Sequence, residues 1–325
     1  MSIFLSHSGF RLLTGILGRS KFMALLAKPD AGLAVVDREG DGVKAPPRTF
    51  RPPKIEQSVT MTSSIDSVRG NGDRRLSGQL IVNADDWGRD RQHTDRILEC
   101  VARGAVSSVS AMVFMDDSER AAAIARESET DAGLHLNFTL PFSSRSCPTR
   151  LLERQRRIAR YLQRHRFAQA IFHPGLMQSF EYVVSAQLEE FQNIYGKAPQ
   201  RFDGHHHMHL CANMLIAGLL PAGTIVRRSF SFRNGEKWMG NRLYRQIVDC
   251  MLVRKHRIVD FFGSISPVNS ADRLQRIFAL ARHSVVELEV HPTNPEEYRF
   301  LTGGELFKQI GDIHLASRFT SLQQK

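Results

Sequence analysis

Cysteine is scarce in this 325-residue chain, and Cys100, Cys147, Cys211 and Cys250 stand too far apart to form a CxxC pair. That spacing excludes a zinc ribbon and a disulfide framework, and it fits reduced, mostly buried thiols of a cytoplasmic protein. No apolar run approaches the roughly 18 residues that a membrane-spanning helix needs, so no transmembrane segment is expected. Residues 1 to 29 carry Arg11, Arg19, Lys21 and Lys28 without an acid, and these charges interrupt the apolar stretches before a secretory core develops. A cleavable signal is therefore not expected. The GxSxG and GxxxxGK(S/T) motifs are missing, which removes the α/β-hydrolase serine enzymes and the P-loop enzymes.

Acidic residues are in the minority, 33 against 44 Lys and Arg, for a formal net charge of +11. Such an excess suits a polyanionic partner. Up to Leu76, however, 12 basic residues face 7 acidic ones, and 12 − 7 leaves +5 of the excess upstream of the first core segment. There is no RNP motif, zinc finger or aromatic interleaving, so nucleic acid is not expected as a partner.

What the chain does have is enough apolar content, 42%, for a sizeable core. Residues 1 to 79 read as a basic, Pro/Gly/Ser-rich flexible extension, with Met61 as an alternative natural start. The folded domain is placed at 80 to 325. It opens at Leu80 with LIVNADDWG, a buried strand running into carboxylates. A helix over 95 to 103, a strand over 105 to 115, a helix to Glu127 and a strand over 132 to 138 follow. Next come an arginine-rich helix over 150 to 165, a helix over 183 to 195 closed by Gly196, and a strand from Arg201 to Leu210. Helices near 213 to 220 and over 271 to 281, with strands over 223 to 228 and 284 to 291, complete the pattern. Alternating strands and helices with polar residues at strand ends define an α/β fold, an irregular, TIM-like (β/α) barrel with its site at the C-terminal edge.

Four features lie at such strand ends. Asp85 and Asp86 are adjacent, so in extended geometry their side chains leave on opposite sides. One can bind a metal while its neighbour holds a water; alone, the pair reads first as a helix cap and a surface acid. In FDGHHHMHL at 202 to 210, a period of two puts Asp203, His205, His207 and His209 on one face and turns His206 away. Clustered imidazoles and a carboxylate suit a divalent metal, against the blander reading of a His-rich structural strand. His135 and His291 would each pass alone for core histidines. Their shared position at strand ends is what joins them to the cluster. The seven arginines from Arg150 to Arg166 spread around a helix and read as a solvated surface, with a phosphate or acidic-lipid contact as the alternative.

Together NADDWG at 83 to 88, GLHLNF at 133 to 138, YGKAPQRFDGHHHMHL at 195 to 210 and EVHP at 289 to 292 resemble the YdjC-like carbohydrate deacetylases, a family that includes the chitooligosaccharide deacetylases. The resemblance spans about 80 to 310. It implies one divalent ion, magnesium or zinc with manganese, cobalt or nickel also compatible, held by Asp86, His135 and His205. It further implies an N-acetylated sugar as substrate, Asp85 as general base, and His291 as partner acid or stabiliser of the tetrahedral intermediate. Asp203, His207, His209, Trp87 and Arg227 are left beside the ligands or facing substrate. Trp87, Gly204 and Thr293 depart from the usual Phe or Leu, Ser and Gly, and leave the exact sugar open. Two other readings stand: the same machinery acting on another acylated compound such as a glycolipid, and a metal- or anion-binding protein without turnover. A homodimer is compatible with either.

Overall fold

A computed structural model of the chain describes residues 78–165, 167–232, 236 and 238–319. They belong to the second of two compact units, Gly70–Lys325. The expected extension, the alternative start at Met61, and Arg166 lie outside the described residues.

Seven parallel strands form one sheet: β1 (Gln79–Trp87), β2 (Ser108–Ala111), β3 (Asp131–Leu136), β4 (Arg201–Gly204), β5 (Ile225–Val226), β6 (Phe261–Ser264) and β7 (Val285–Val290). Their spatial order is β5-β4-β3-β2-β1-β7-β6. The edges curl toward each other. Val226 N–H donates to the Arg257 carbonyl at 2.9 Å and Ser231 N–H to the Phe262 carbonyl at 2.9 Å, so the gap between β5 and β6 is bridged by loop backbone. This is the irregular barrel expected from the sequence. Because every pairing is parallel, all strand C-termini share one edge, and the strand-end residues converge there.

Alternation along β1 sorts its residues. Leu80, Val82 and Ala84 enter the main apolar layer with residues such as Ile97 and Cys100. Ile81 faces the other way and joins Ile225, Val259, Phe262, Ala316 and Phe319 in a small plug inside the curl. Further along that inner face come Asn83 and Asp85, both buried. The interior therefore has an apolar floor under a polar upper half. Phe319 seals the floor, with the Arg201 guanidinium 4.6 Å from its ring centroid. Phe319→Ala is expected to cost about 3 kcal/mol in urea unfolding, the usual penalty for emptying a buried aromatic site. A cost below about 1 kcal/mol would show that the plug is dispensable.

The helices are α1 (Arg91–Ala102), α2 (Ser118–Glu127), α3 (Thr149–Leu162), α4 (Met177–Tyr195), α5 (Ala212–Ala217), α6 (Met239–Leu252), α7 (Ala271–Ala281), α8 (Pro295–Thr302) and α9 (Glu305–Ile310). Helix α1 starts four residues earlier than expected because Asp90 caps it, its carboxylate accepting from His93 N–H. In the arginine-rich α3, Leu151, Gln155, Ile158 and Leu162 form the buried stripe and leave most arginines facing solvent. Helix α4 ends as expected at Gly196, whose φ of 71° closes it in the left-handed region. No described helix is long and apolar enough to cross a membrane.

The strand expected to reach Leu210 stops at Gly204. Residues His205–Leu210 instead form tight 3₁₀-type turns with His206 and His207 at φ 55° and 58°. The pattern of two therefore does not apply beyond Asp203. Two consecutive non-glycine residues in the left-handed region carry strain of order 1–3 kcal/mol each, a cost found mainly where geometry serves a site.

Candidate active site

The site begins with an irregularity in β1. Its register against β2 slips between Ala84 and Trp87, and Asp86 takes a φ of 68°. Aspartate is one of the few side chains that tolerates this region. The kink brings both carboxylates to one centre, correcting the expectation that they diverge. His135 Nε2 lies 4.0 Å from Asp85 Oδ2 and 3.5 Å from Asp86 Oδ1. Trp87 is fully buried in the apolar layer, so it does not border the cleft as expected.

Asp86, His135 and His205 offer donor atoms within 4.8 Å of one another, all buried. His205 arrives from the turn after β4, its Nδ1 2.9 Å from Asp86 Oδ1. His135 Nδ1 sits 2.8 Å from Asp203 Oδ1, which fixes the ring and leaves Nε2 for the centre. Such carboxylate-braced histidines are the usual form of a metal ligand. Burial disfavours charge on His135, yet Asp85 and Asp203 push its pKa up to about 10. Burial likewise opposes ionisation of Asp86, but hydrogen bonds with His135 and His205 hold its carboxyl well below the usual range. A buried centre that draws positive charge to this degree, with two nitrogen donors and one oxygen donor, fits a divalent cation. Arg89, which the sequence reading passed over, reaches Asp86 Oδ2 at 3.0 Å.

Arg227 organises the ionic layer beneath. Its guanidinium binds Asp85 through two bonds of 2.6 and 2.7 Å, Glu287 at 2.8 Å, Asp203 at 3.1 Å and Glu289 at 3.3 Å. Asn83 adds a bond to Asp85 Oδ1 at 2.9 Å. Arg201 and the Ser110 hydroxyl complete the partners of Asp203. Although burial works to raise the Asp85 pKa, Arg227 and His135 hold it well below the ordinary value. Burial, and after it Asp85, push Glu289 well above its own. The two carboxyls are thus driven apart, Asp85 toward its ionised form and Glu289 toward its protonated form, as in an acid-base pair. Asp85, Glu289 and His291 bring donor atoms within 4.8 Å of one another. Glu287 and Glu289 were missed in the sequence, although counting back by twos from His291 along β7 would have found both.

The remaining histidines divide. His209 is buried, donates from Nε2 to the Arg227 carbonyl at 3.0 Å, and has its pKa lowered by burial to about 4, so it stays neutral. His207 is half-buried against Phe230, its Nε2 3.5 Å from Glu289. His206, which strand alternation would turn away, sits at the mouth of the site. Its ring centroid is 4.0 Å from that of His205, and its Nδ1 is 3.0 Å from the Thr139 hydroxyl.

Fold and site together define an α/β protein with a buried Asp-His-His cluster at the C-terminal edge of a curled parallel sheet, able to hold a metal ion. Residues 79–311 match the model of the YdjC-like protein family, and the chain belongs to that family. A chitooligosaccharide deacetylase of Proteus mirabilis is 30% identical over 131 residues, covering 40% of this chain and 50% of that protein. The human carbohydrate deacetylase is 32% identical over 136 residues, covering 41% of each. The chain spans about half or less of the length of these relatives. A candidate cellobiose-phosphate cleavage protein of Enterococcus faecalis superposes with a TM-score of 0.54 at 20% identity, over 76% of this chain and 99% of that one. That likeness shows the shared fold.

Proposed function

We propose that the chain is a metal-dependent hydrolase that removes the N-acetyl group from an amino sugar or short oligosaccharide. The observation that carries this reading is the buried Asp86, His135 and His205 cluster beside an ionised Asp85, in a member of this family. The donor set suits zinc, manganese, cobalt or nickel, and magnesium less well. The four free thiols fit a cytoplasmic setting.

An amide resists hydrolysis because its carbonyl is weakly electrophilic and water is a weak nucleophile. When bound, the cation supplies Lewis-acid polarisation of the carbonyl and eases ionisation of a nearby water. Asp85 acts as the base. Two bonds from Arg227 and one from Asn83 fix the orientation of its carboxylate beside the proposed ligands. Burial and the neighbouring Asp85 push the Glu289 carboxyl well above its usual range, which favours its neutral form beside Asp85. His291, its backbone N–H anchored to Glu297 at 2.5 Å, delivers a proton to the departing nitrogen. Asp203 holds the His135 ring in place throughout.

Metal analysis and acetate release on purified protein test the reading together. Removing metal with a chelator is expected to lower acetate release at least ~100-fold, with recovery when the ion is restored. Silence across a broad panel of N-acetylated oligosaccharides would reject the deacetylase reading. Asp203→Asn should weaken metal binding roughly 10- to 100-fold in chelator competition, because the ring it braces is a proposed ligand. Unchanged affinity would remove Asp203 from the account.

A further inference from the structure

Of the six large apolar side chains that stand exposed among the described residues, four gather at α6 and its two flanking residues: Trp238 at 81% exposure, Met239 at 76%, Leu243 at 47% and Val253 at 55%. Single exposed apolar residues are ordinary, but a contiguous patch of them marks a surface that something covers. Met239, Leu243, Gln246, Cys250 and Val253 are all exposed, and their steps of four, three, four and three residues set them in one row along the outer face of the helix. The inward face buries only Val248 and Leu252. Gly240 widens the patch, because the Trp238 ring lies against its backbone in space that any side chain there would occupy.

The row is complementary to itself. Gln246 is its midpoint, seven residues from Met239 and seven from Val253. A second copy laid antiparallel on it, with a two-fold axis at Gln246, sets Met239 against Val253, Leu243 against Cys250, and the two Gln246 amides against each other. Each residue then meets the one that meets it, which is the condition for a closed dimer. An amide carries both donors and an acceptor, so the central pair satisfies itself and fixes the register. Charge at the edge of the row follows the same symmetry. Arg242 pairs with no carboxylate among the described residues, and the axis brings it beside Asp249 of the second copy, an acid held in place by Arg228 at 2.6 Å.

We propose that the outer face of α6 docks on α6 of a second copy of this chain, antiparallel about Gln246. The exposed side chains of the patch present on the order of 500 Å², so two copies bury about 1,000 Å² between them, the lower bound for a specific interface. Leu243 lies nearest the axis among the large apolar residues and is the anchor of the contact.

Sedimentation equilibrium of the full chain and of Leu243→Glu tests the association. Wild type should be mostly dimer at roughly 100 µM chain. Leu243→Glu should raise the dimer Kd at least ~30-fold, the effect of losing a central anchor, and should leave the circular dichroism unchanged because the residue faces away from the core. Orientation is read by mild oxidation in a Cys250→Ser background. Gln246→Cys should link into covalent dimers through position 246, whereas Met239→Cys should stay unlinked, since the two copies of position 239 stand about 20 Å apart along the paired helices. A monomeric wild type at that concentration, a dimer indifferent to Leu243→Glu, or linkage at 239 without linkage at 246 overturns the proposal. In a monomer, resistance of Gln246→Cys to thiol labelling would assign the patch to another segment of the same chain instead.

Discussion

Arg227→Met is expected to destabilise the folded chain by about 3 to 5 kcal/mol, the largest stability effect of any single replacement proposed for this protein. The side chain is fully buried and compensates Asp85, Asp203 and Glu287 together, with Glu289 at 3.3 Å. Removing it leaves ionised Asp85 and Asp203 in a low-dielectric interior without their main counter-charge, and both are ionised in large part because Arg227 is there. Methionine fills similar space, so the loss reads the charge rather than a cavity. Arg227→Lys should recover only part of it, because an ammonium cannot make the forked pair with Asp85 while also reaching Glu287. Urea unfolding measures all three proteins. A cost below about 1 kcal/mol for Arg227→Met would mean that the carboxylates simply take up protons, and the layer would lose its claim to be ionic.

The largest functional effect is expected from Asp85→Asn, with kcat lower by roughly 10²- to 10⁴-fold, the range for loss of a positioned general base. The amide preserves the shape and one bond to Arg227, which retains Asp203, Glu287 and Glu289 as partners, so the variant should remain folded. It should also keep its metal, since Asp85 is not among the three proposed ligands. Comparable kcat in wild type and variant would move the base elsewhere.

The layout of the barrel was legible in the sequence because its strands are apolar and end in polar groups. LIVNADDWG and ELEVHPT both mark central strands, β1 and β7, which pair along six residues of each. Strand β6 and helix α6 were not read. Phe261–Ser264 is a short edge strand after a basic segment, and Met239–Leu252 buries only Val248 and Leu252, too little to impose a clear stripe. The site residues were legible by type, but their geometry was not. Period-two reasoning assumes an unbroken strand, and it failed at Asp86 and again at His206 and His207, where the backbone enters the left-handed region. These are the places where local preference yields to the site. The same failure hid His206, which lines the cleft, while Trp87, put near the ligands by the resemblance, packs in the core.

The central claim is that Asp86, His135 and His205 hold a divalent ion while Asp85 acts on water. Metal content and acetate release, measured on the same preparations of wild type, His135→Ala and Asp85→Asn, test it most directly. Wild type should show a bound ion and turnover, His135→Ala should lose both, and Asp85→Asn should hold an ion without turnover. An ion retained in folded His135→Ala, or lost from folded Asp85→Asn, would contradict it.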